Sequence, residues 1–533
     1  MYGLMMDQPL LISDLLRHAD RHHASTEIVS KTVEGGIHRY TYREAHRRAR
    51  RLANALRNLG VRAHDRVATL AWNGFRHFEV YYAVAGSGAV IHTINPRLFP
   101  EQIAYIANHA EDKVVFYDTT FAPLVEKLKP QLKSVTRFVA LNEEYEKLVQ
   151  GESDAFDWPA FDEKTAACLC YTSGTTGNPK GALYSHRSTM IHAYAAALPD
   201  TLNLSAREVV LPVVPMFHVN AWSLPYSCTL TGAKMVFPGP HLDGRSLHEL
   251  FESEGVTMSA GVPTVWLGLL TYMKEKKLRF STLKNVVIGG SACPPAMLRT
   301  FQDDYGVQVL HAWGMTEMSP LGTAGTLKAR QASLAKAERE AIQGKQGRAI
   351  FGVDFRIVDE NGRELPWDGK AFGDLQVRGP WVIKSYFKGE GGDPLRGGWF
   401  PTGDVCTIDP EGYIQITDRS KDVIKSGGEW ISSIDLENIA IAHPAIAEAA
   451  VIGVRHPKWD ERPIVVAVKK PGHEISKDEL LRFYEGKIAK WWMPDDVVFV
   501  NELPHTATGK LSKLTLRQQL KDYRLGSSGL DPK

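Results

Sequence analysis

The amino-acid sequence predicts an α/β protein with a large N-terminal domain of β/α sheets, a small β-barrel subdomain and a small α+β C-terminal domain. Three observations support this prediction. The 533 residues exceed what one hydrophobic core usually organises, so two or more domains are expected. Short apolar strands alternate with amphipathic helices in the first two thirds of the chain, which is typical of parallel β/α units. From about residue 347, short strands and turns replace that alternation.

The first helices and strands have clear boundaries. Residues 10–23 and 43–60 carry apolar residues at helical spacing, with Thr41 as a candidate N-cap of the second helix and Gly60 at its end. Further apolar segments are predicted to be strands: residues 66–71, 113–117, 209–215, 234–238, 285–290 and 307–314. Because ligands gather at the carboxyl ends of strands in α/β sheets, the residues that follow these segments are candidates for a site.

The last third of the chain is predicted to divide into two parts. Residues 345–418 contain short strands separated by turns, which indicates the β subdomain. Residues 418–428, DRSKDVIKSGG, are charged and then glycine-rich, which is typical of a linker. We therefore expect an N-terminal domain of residues 1–420 and a C-terminal domain of residues 421–533, the latter with a compact α+β pattern.

Composition limits the classes of function. Charged residues make up 23% of the chain and the formal net charge is +2, without a block of like charge, so no nucleic-acid partner is expected. The five cysteines are predicted to be small buried residues in a reducing compartment. The N-terminus lacks the pattern of a signal peptide, and the longest apolar run, around residues 80–94, is too broken to span a bilayer. A cytoplasmic protein without stable membrane insertion is expected.

One stretch dominates the functional interpretation: residues 171–181, YTSGTTGNPKG, which continue the strand-like run AACLCY. Consecutive glycines and hydroxyl residues let backbone N–H groups turn inward around an anion, and Lys180 adds a positive charge that can reach the outer phosphates of a nucleotide. The stretch is not a Walker A motif, because no glycine in it is followed directly by Lys and then Ser or Thr. A flexible surface loop is the alternative.

Two carboxylates are candidate ligands. In AWGMTEMSP (312–320), Glu317 offers a hard oxygen ligand for Mg²⁺, although the same residues also suit a helix start capped by Thr316. In WFPTGDV (399–405), the Asp404 carboxylate can accept hydrogen bonds from ribose hydroxyls, or it can be an ordinary turn residue.

Two cations stand near the predicted domain boundary and the C-terminus. Arg419, in ITDRSKDVIKSGGEW (416–430), can donate two hydrogen bonds at once. Lys510 lies in PHTATGKLSK (504–513), and a lone lysine near a C-terminus is usually a solvated surface charge.

Together these stretches resemble, in order and spacing, the motifs of the AMP-forming adenylating enzymes, which include acyl-CoA synthetases, luciferases and peptide-synthetase adenylation domains. GGSACPP (289–295) and PMFHVNAW (215–222) match the same family, and the resemblance covers essentially the whole chain. Within the family, the sequence most resembles medium-chain fatty-acyl-CoA ligases. The segment KWWMPDDVVFV (490–500) and the pair of Trp222 and Trp313 also resemble 3-(methylthio)propionate-CoA ligases.

The resemblance implies a set of site residues. The ATP and AMP site would comprise Thr172, Ser173, Gly174, Thr175, Thr176, Gly177, Lys180, Gly290, Ser291, Ala292, His311, Ala312, Trp313, Gly314, Met315, Thr316, Asp404, Ile416, Arg419 and Lys510. Catalytic roles would fall to Lys510, Glu317, Thr316 and His218, and metal ligation to Glu317 and Thr172. The acyl pocket would comprise His218, Asn220, Trp222, Gly289, Trp313 and Pro320. The side facing CoA would comprise Lys425, Gly427, Gly428, Glu429 and Trp430.

The implied reaction has two steps. A carboxylate attacks the α-phosphorus of ATP and pyrophosphate leaves; the thiol of CoA then attacks the acyl-adenylate. Both reactants of the first step are anions, so positioning and positive charge from Mg²⁺, Lys180 and Lys510 would drive it. The resemblance also implies two orientations of the C-terminal domain about a hinge at Lys421 and a homodimer.

Several alternatives stay open. A carrier-protein thiol could replace CoA as the acceptor, or the chain could be a non-catalytic nucleotide-binding relative, although Lys510, Glu317 and Asp404 are all present. The acid is expected to be short or medium in chain length, because two indoles narrowing one pocket favour a slim chain; aryl acids are the alternative. One departure concerns the hinge, since many family members have glycine where Asp418 precedes Arg419.

Overall fold

The computed structural model describes residues 1, 3–172, 178–426, 429–505 and 511–525, with the backbone alone at 429 and 430. These residues form two compact units. The first holds the described parts of Met1–Gly174, Asn178–Asp354 and Arg378–Phe400, and the second those of Phe355–Val377 and Pro401–Lys533. The division into 1–420 and 421–533 stays a prediction.

The first unit combines helices with two sheets. Its helices are α1 (Ile12–His22), α2 (Tyr42–Asn58), α3 (Phe75–Gly86), α4 (Pro100–Ala110), α5 (Ala122–Leu128), α6 (Glu143–Gln150), α7 (His186–Ala197), α8 (Val219–Trp222), α9 (Leu224–Thr231), α10 (Gly244–Glu254), α11 (Pro263–Lys276), α12 (Pro295–Arg299), α13 (Ala329–Ala332) and α14 (Lys336–Gln343). Its strands are β1 (Glu27–Lys31), β2 (Ile37–Thr41), β3 (Arg66–Leu70), β4 (Val90–Thr93), β5 (Asp112–Tyr117), β6 (Arg137–Ala140), β7 (Ala166–Tyr171), β8 (Gly181–Ser185), β9 (Val209–Pro212), β10 (Lys234–Phe237), β11 (Met258–Gly261), β12 (Asn285–Ile288), β13 (Gln308–Gly314), β14 (Leu321–Ala324) and β15 (Arg348–Ala349).

The predicted parallel β/α units are confirmed. One sheet has the order β6-β5-β3-β4-β7-β8, parallel except for the last pair. The other has the order β15-β14-β13-β12-β11-β9-β10-β1-β2, with parallel strands from β13 to β1 and antiparallel pairs at both ends. Helices α10, α11 and α12 pack on the second sheet through a core that includes Leu247, Trp266 and Leu298.

Local sequence explains where the second helix begins and ends. The Thr41 hydroxyl accepts a hydrogen bond from the Glu44 backbone N–H, and the Glu44 carboxylate accepts one from the Thr41 N–H, which completes a capping box. Gly60, with φ of +79°, follows the helix end and donates its N–H to the Arg57 carbonyl. Both predicted boundary residues are therefore confirmed.

The second unit contains two smaller sheets. Its strands are β16 (Asp354–Val358), β17 (Gly373–Arg378), β18 (Phe400–Ile408), β19 (Ile414–Arg419), β20 (Ile424–Ser426), β21 (Glu429–Ile431), β22 (Ile446–His456), β23 (Asp460–Lys469) and β24 (Asp496–Phe499), and its helices are α15 (Ser433–Ile441), α16 (Lys477–Tyr484) and α17 (Lys513–Gln519). The four strands β16 to β19 follow one another in a sheet whose described path is open, where a small barrel was expected. The other sheet has the order β21-β20-β23-β22, with β24 beside β23, and the α+β prediction for this part is confirmed.

One prediction about the boundary segment is wrong. Residues 424–426, expected to belong to a linker, form β20, whose Ile424 is buried and pairs with Ile431 of β21. The apolar Val423 and Ile424 favour a buried strand within this charged segment. The glycines that follow the strand favoured the linker interpretation instead. The five cysteines are buried and free, as predicted. In the part of the chain that the structure describes, no helix has both the length and the apolar character needed to cross a bilayer.

Candidate active site

The two ends of the glycine- and hydroxyl-rich stretch are joined by hydrogen bonds between Thr172 and Lys180, which form the neck of the loop. Strands β7 and β8 pair antiparallel up to Tyr171 and Gly181. Beyond them, the Thr172 N–H donates to the Lys180 carbonyl at 2.9 Å, and the Lys180 N–H donates to the Thr172 hydroxyl at 3.0 Å. The neck leaves the carboxyl end of β7, where a sheet of this kind places ligands. Residues Ser173, Gly174, Thr175, Thr176 and Gly177 lie outside the described residues.

Glu317 is held in a short turn after β13. Its side chain is buried, and its Oε1 accepts a hydrogen bond from the Tyr386 hydroxyl at 2.8 Å. The Glu317 carbonyl accepts from the Ile383 N–H at 2.9 Å, and the neighbouring Thr316 carbonyl accepts from the Tyr184 hydroxyl. Burial, and then the nearby carboxylate, raises the pKa of Tyr386, so its hydroxyl keeps the proton that it donates.

Lys180 points at the same tyrosine. Its ammonium lies 5.0 Å from the centroid of the Tyr386 ring, in the geometry of a cation–π contact. A Cβ added to Gly391 would stand 2.8 Å from the Lys180 Nζ, so glycine there leaves room for the ammonium. Tyr386 was not among the predicted site residues; the glycines around it, at 389, 391 and 392, were the available signal.

The turn from Gly314 to Pro320 is too tight for a side chain at its start. A Cβ on Gly314 would stand 2.0 Å from the Pro320 carbonyl oxygen, which also accepts a hydrogen bond from the Met315 N–H at 3.0 Å. The glycine is thus required by the backbone of the turn itself. Its predicted contact with the nucleotide, like that of Met315, stays a prediction.

His311 has a structural role that the sequence did not indicate. Its Nδ1 donates to the Gly344 carbonyl at 3.0 Å and its Nε2 accepts from the Cys293 N–H at 3.3 Å, so the neutral ring joins two loops. Burial lowers its pKa to about 4. Because both ring nitrogens are used within the protein, the predicted contribution of His311 to the nucleotide site would be made by holding residues 291–293. Gly290 and Ser291 are exposed and Ala292 is half-buried.

Each of the two tryptophans predicted to line the acyl pocket packs on a glycine. A Cβ on Gly289 would stand 3.1 Å from the Trp222 ring and 3.0 Å from the Ala312 carbonyl, so this indole lies directly on the glycine. The Trp313 ring packs in the same way on Gly322, at 2.7 Å from an added Cβ. Each indole is thus seated on a residue without a side chain; that the two narrow one pocket stays a prediction.

Residues 219–223 form a left-handed turn, α8 and the residue after it. The φ angles of Val219, Asn220, Ala221, Trp222 and Ser223 lie between 47° and 68°, although none of these residues is glycine. Left-handed helical backbone costs roughly 1–2 kcal/mol per residue, so the surrounding contacts must hold it. The half-buried His218 precedes the turn, and no signal in the sequence indicated such a backbone.

Asn220 anchors this turn, while its predicted place in the acyl pocket stays a prediction. Its buried amide Nδ2 donates to the Cys168 Sγ at 3.0 Å, and its Oδ1 accepts from the Cys170 Sγ at 3.4 Å and from the Tyr81 hydroxyl at 3.3 Å. The two cysteines face the same side of β7, with their Sγ atoms 3.8 Å apart, as residues two positions apart on a strand do. The pair therefore connects the strand before the loop to the turn that carries Trp222.

In the second unit, the two predicted ribose ligands are direct neighbours. Asp404 of β18 pairs with Arg419 of β19, and the Arg419 Nε lies 2.9 Å from the Asp404 Oδ1. The carboxylate is buried, whereas the guanidinium side chain is 47% exposed. Ile416 lies on β19 opposite Cys406. The arrangement presents an oriented cation beside a carboxylate, which suits hydrogen bonding to hydroxyls.

Asp418, the departure noted in the sequence, is buried and fully engaged. Its Oδ1 accepts from the Arg419 N–H at 2.8 Å, and its Oδ2 accepts from the backbone N–H and the hydroxyl of Ser433. The Lys513 ammonium donates to the same hydroxyl and pairs with Glu437 at 2.7 Å. Asp418 thus fastens the start of the predicted hinge to α15 and, through Lys513, to α17. Burial raises the pKa of Asp418.

The remaining predicted residues lie close by in sequence. Lys421 is exposed in a turn in which the Asp422 N–H donates to the Arg419 carbonyl. Lys425 is exposed and pairs with Glu360 at 2.8 Å. Residues 429 and 430 are described by backbone alone, in β21. Gly427, Gly428 and Lys510 lie outside the described residues.

The oxygen donors predicted to bind Mg²⁺ suit a site that is completed by phosphate oxygens and water. Among the residues that the structure describes, no group of three or more His, Cys, Asp or Glu side chains could hold a metal ion. Mg²⁺ is commonly bound through one or two protein oxygens, with phosphate oxygens and water completing its shell. The buried carboxylate of Glu317 and the hydroxyl of Thr172 are hard oxygen donors of that type.

Comparisons with known proteins cover the whole chain. The family model described as "AMP-binding enzyme" matches residues 15–387, and "AMP-binding enzyme C-terminal domain" matches residues 435–510. A 3-methylmercaptopropionyl-CoA ligase of Ruegeria lacuscaerulensis is 54% identical, over 99% of this chain and 100% of that protein. A medium-chain-fatty-acid–CoA ligase of Ectopseudomonas oleovorans is 52% identical, over 99% of each. The crystal structure of ATP-bound MatB from Rhodopseudomonas palustris matches with a TM-score of 0.82 at 27% identity, over 96% of this chain and 99% of that one.

Proposed function

This chain belongs to the AMP-binding enzyme family and is an AMP-forming acyl-CoA ligase, as its motifs predicted; we propose that its acid is a short- or medium-chain carboxylate, with 3-(methylthio)propionate as the first candidate. The relatives named for 3-methylmercaptopropionate and for medium-chain fatty acids share 54% and 52% of their residues with it over nearly its full length. The predicted resemblance to these two kinds of ligase is confirmed.

One observation in the site supports the reaction most directly. Lys180, at the neck of the loop, and the buried carboxylate of Glu317 both contact Tyr386, through its ring face and its hydroxyl. A cation for phosphate and an oxygen ligand for a metal are therefore held on one side chain. Joining an anionic acid to an anionic nucleotide requires such pre-placed charges.

The first step is proposed to proceed by positioning and charge neutralisation. Lys180 would bind the outer phosphates while the acid carboxylate attacks the α-phosphorus and pyrophosphate leaves. Mg²⁺, when bound through Glu317 and Thr172, supplies further neutralisation of the phosphate charge. The resemblance assigns to Lys510 the bridge between the acid carboxylate and the α-phosphate, and this role is part of the proposal.

The second step is proposed to use CoA as the acceptor. Its thiol attacks the carbonyl carbon of the acyl-adenylate and AMP leaves. By resemblance, the segment from Lys425 to Trp430 faces CoA after the C-terminal part has turned about Lys421. The choice of a slim acid rests on the predicted pocket residues Trp222 and Trp313, each of which lies against a glycine.

The test is a panel of acids. We would incubate the purified chain with ATP, Mg²⁺, CoA and straight-chain acids from acetate to dodecanoate, 3-(methylthio)propionate and benzoate, and assay AMP and thioester. AMP and acyl-CoA should form with 3-(methylthio)propionate and the short and medium acids. Release of ADP, or absence of CoA-dependent AMP release with every acid, would contradict the proposal. Acid-dependent pyrophosphate release without AMP or a CoA thioester would point to a carrier-protein thiol as the acceptor.

A lysine variant tests which of the two reaction steps requires Lys510. Lys510→Ala should fail with the free acid but still convert preformed acyl-adenylate and CoA to thioester, because Lys510 is assigned to the first step alone. Lys521→Ala, a change at an exposed lysine, is the matched control and should do both. Loss of both half-reactions in Lys510→Ala would contradict the assignment.

A homodimer, implied by the resemblance, and a cytoplasmic location, expected from the sequence, also belong to this proposal. Light scattering coupled to size-exclusion chromatography should give twice the mass of 59.3 kDa. A monomer mass would remove the homodimer without affecting the reaction.

A further inference from the structure

We infer that Tyr386 is a positioning residue that keeps the Lys180 ammonium and the Glu317 carboxylate apart and each aimed for MgATP. The inference rests on the proposed function, because it assigns tasks to Lys180 and Glu317 in that reaction. Tyr386 acts through these two charged groups and is assigned no contact with a reacting atom.

The inference starts from one aromatic side chain that contacts two opposite charges. The Lys180 Nζ lies 5.0 Å from the Tyr386 ring centroid, and the Tyr386 hydroxyl donates to the Glu317 Oε1 at 2.8 Å. Glu317 is buried, and Tyr386 and Lys180 are half-buried, so water screens these charges less than it would at the surface. One side chain thus contacts both charged groups, the ammonium at its ring face and the carboxylate at its hydroxyl.

The loop that carries Tyr386 is fixed from the other side. The Tyr105 hydroxyl donates to the Glu390 carboxylate at 3.1 Å, and the Phe387 ring meets the His109 ring edge-on at a centroid distance of 5.6 Å. A Cβ on Gly181 would stand 3.0 Å from the Phe387 Cβ, so the loop also rests on the first residue of β8. Helix α4 and strand β8 therefore hold Tyr386 in place.

The physical consequence concerns ion pairing. An ammonium and a carboxylate that share a half-buried site attract strongly and form a salt bridge when nothing separates them. Such a bridge would occupy the cation that the phosphates need and the oxygens that a metal needs. The aromatic face satisfies the cation without a counter-charge, and the hydroxyl holds the carboxylate through a neutral hydrogen bond.

Two substitutions separate the ring from the hydroxyl. Tyr386→Phe keeps the spacer and removes the hydrogen bond to Glu317, whereas Tyr386→Ala removes both. We would measure ATP binding by calorimetry in EDTA and in excess Mg²⁺, together with the Mg²⁺ dependence of acid-dependent pyrophosphate exchange. In Tyr386→Phe, ATP binding in EDTA should be unchanged, while half-maximal exchange should need about tenfold more Mg²⁺, the effect expected for one hydrogen bond to a charged group. In Tyr386→Ala, ATP binding in EDTA should itself weaken by about tenfold or more.

Lys388→Ala is the matched control on the same loop. Its ammonium pairs with Glu111, which directly follows α4, and both side chains are largely exposed. Lys388 contacts neither Lys180 nor Glu317 in the hydrogen bonds and ion pairs of the described residues. This variant should leave ATP binding in EDTA and the Mg²⁺ requirement unchanged, since exposed pairs contribute little. Thermal unfolding of all three variants identifies any that is misfolded.

These experiments can contradict the positioning role of Tyr386 without contradicting the proposed function, and the reverse. Unchanged Mg²⁺ dependence in a folded Tyr386→Phe, or equal shifts in Lys388→Ala, would overturn it. So would tight ATP binding in EDTA by a folded Tyr386→Ala. If that variant does not fold, Tyr386→Phe decides alone. If the wild-type chain activates no acid on the panel, the proposed acid fails, while calorimetry with ATP and with Mg²⁺ still tests the positioning role.

Discussion

Asp404 and Arg419 face each other across neighbouring strands, with the Arg419 Nε 2.9 Å from the Asp404 Oδ1. A strand register, rather than a loop, sets their separation. The site that the two residues form is therefore prepared before any ligand arrives, and the buried carboxylate orients the partly exposed guanidinium.

Asp404→Asn tests this pair. The amide cannot hold the guanidinium as the carboxylate does and loses one strong acceptor for ribose hydroxyls. We expect KM for ATP to rise by about tenfold or more, because hydrogen bonds to charged groups contribute about 1.5–3 kcal/mol. Steady-state kinetics with varied ATP measure it. Arg356→Lys, on β16 of the same sheet, is the control and should leave KM unchanged; an unchanged KM in Asp404→Asn would refute the ribose role.

Asn220→Ala tests the anchor of the left-handed turn. The change removes the contacts with Cys168, Cys170 and Tyr81 and places alanine at a φ of +52°, which asparagine tolerates better. We expect a loss of about 1–3 kcal/mol in stability and an altered preference among acid chain lengths, since Trp222 sits on the same turn. Thermal unfolding and kcat/KM across the acid panel measure both.

The control for that experiment is Asn203→Ala. Asn203 also has a positive φ, of +50°, but its side chain is exposed. This variant pays the same backbone cost without losing a buried anchor. Equal effects of the two substitutions would mean that backbone conformation alone, and not the contact with the cysteine pair, holds the turn.

Gly289→Ala tests whether Trp222 borders the acyl pocket. The added Cβ would stand 3.1 Å from the Trp222 ring, so the indole must shift by a few tenths of an ångström. We expect kcat/KM to fall more for octanoate than for propionate, which lowers the ratio of the octanoate value to the propionate value. Trp222→Leu should change this ratio in the opposite direction. Gly268→Ala, where nothing lies within 4 Å of an added Cβ, should leave the ratio unchanged. A constant ratio in all three variants would remove Trp222 from the pocket.

Lys513→Met tests the buried network behind the hinge. The side chains of Lys513 and Glu437 are 10% and 13% exposed, and removal of the cation leaves the Glu437 and Asp418 carboxylates buried without it. Breaking a buried ion pair typically costs about 3–5 kcal/mol, so the second unit should unfold at a clearly lower temperature. Calorimetry measures it. Lys521→Met, at an exposed position, should not change the melting profile.

Asp118→Asn tests a pH effect. Burial raises the pKa of Asp118 to about 7 from an ordinary value of 3.8, and its carboxylate accepts from the Trp72 N–H at 2.7 Å. The folded chain thus holds this proton more tightly than the unfolded chain, so stability should fall as pH rises between these two values and level off above them. The variant should lack that part of the decline, a difference of roughly 3–4 kcal/mol.

Thermal unfolding between pH 4.5 and 8 checks this expectation. Asp157→Asn, at an exposed carboxyl, is the control and should follow the wild-type profile. Parallel profiles for wild type and Asp118→Asn would show that another group controls the pH dependence.

The sequence by itself determined the local elements and the reaction class. Local features depend on neighbours within a few positions, so they can be recognised from the sequence. Examples are the helix cap at Thr41, the apolar run that forms β7 and the motif of residues 171–181. The resemblance assigned Asp404 and Arg419 to the nucleotide site but did not predict the register that joins them. The strand at 424–426 was hidden by the glycines that follow it.

Only the tertiary structure decided which distant side chains meet. Tyr386 lies 69 positions from Glu317 along the chain, and Asn220 lies 52 positions from Cys168, so no periodicity or spacing relates them. Their contacts arise because sheets bring remote strand ends and loops to one edge. The left-handed turn at 219–223 is decided in the same way, since its strained backbone persists through contacts that the local sequence does not encode.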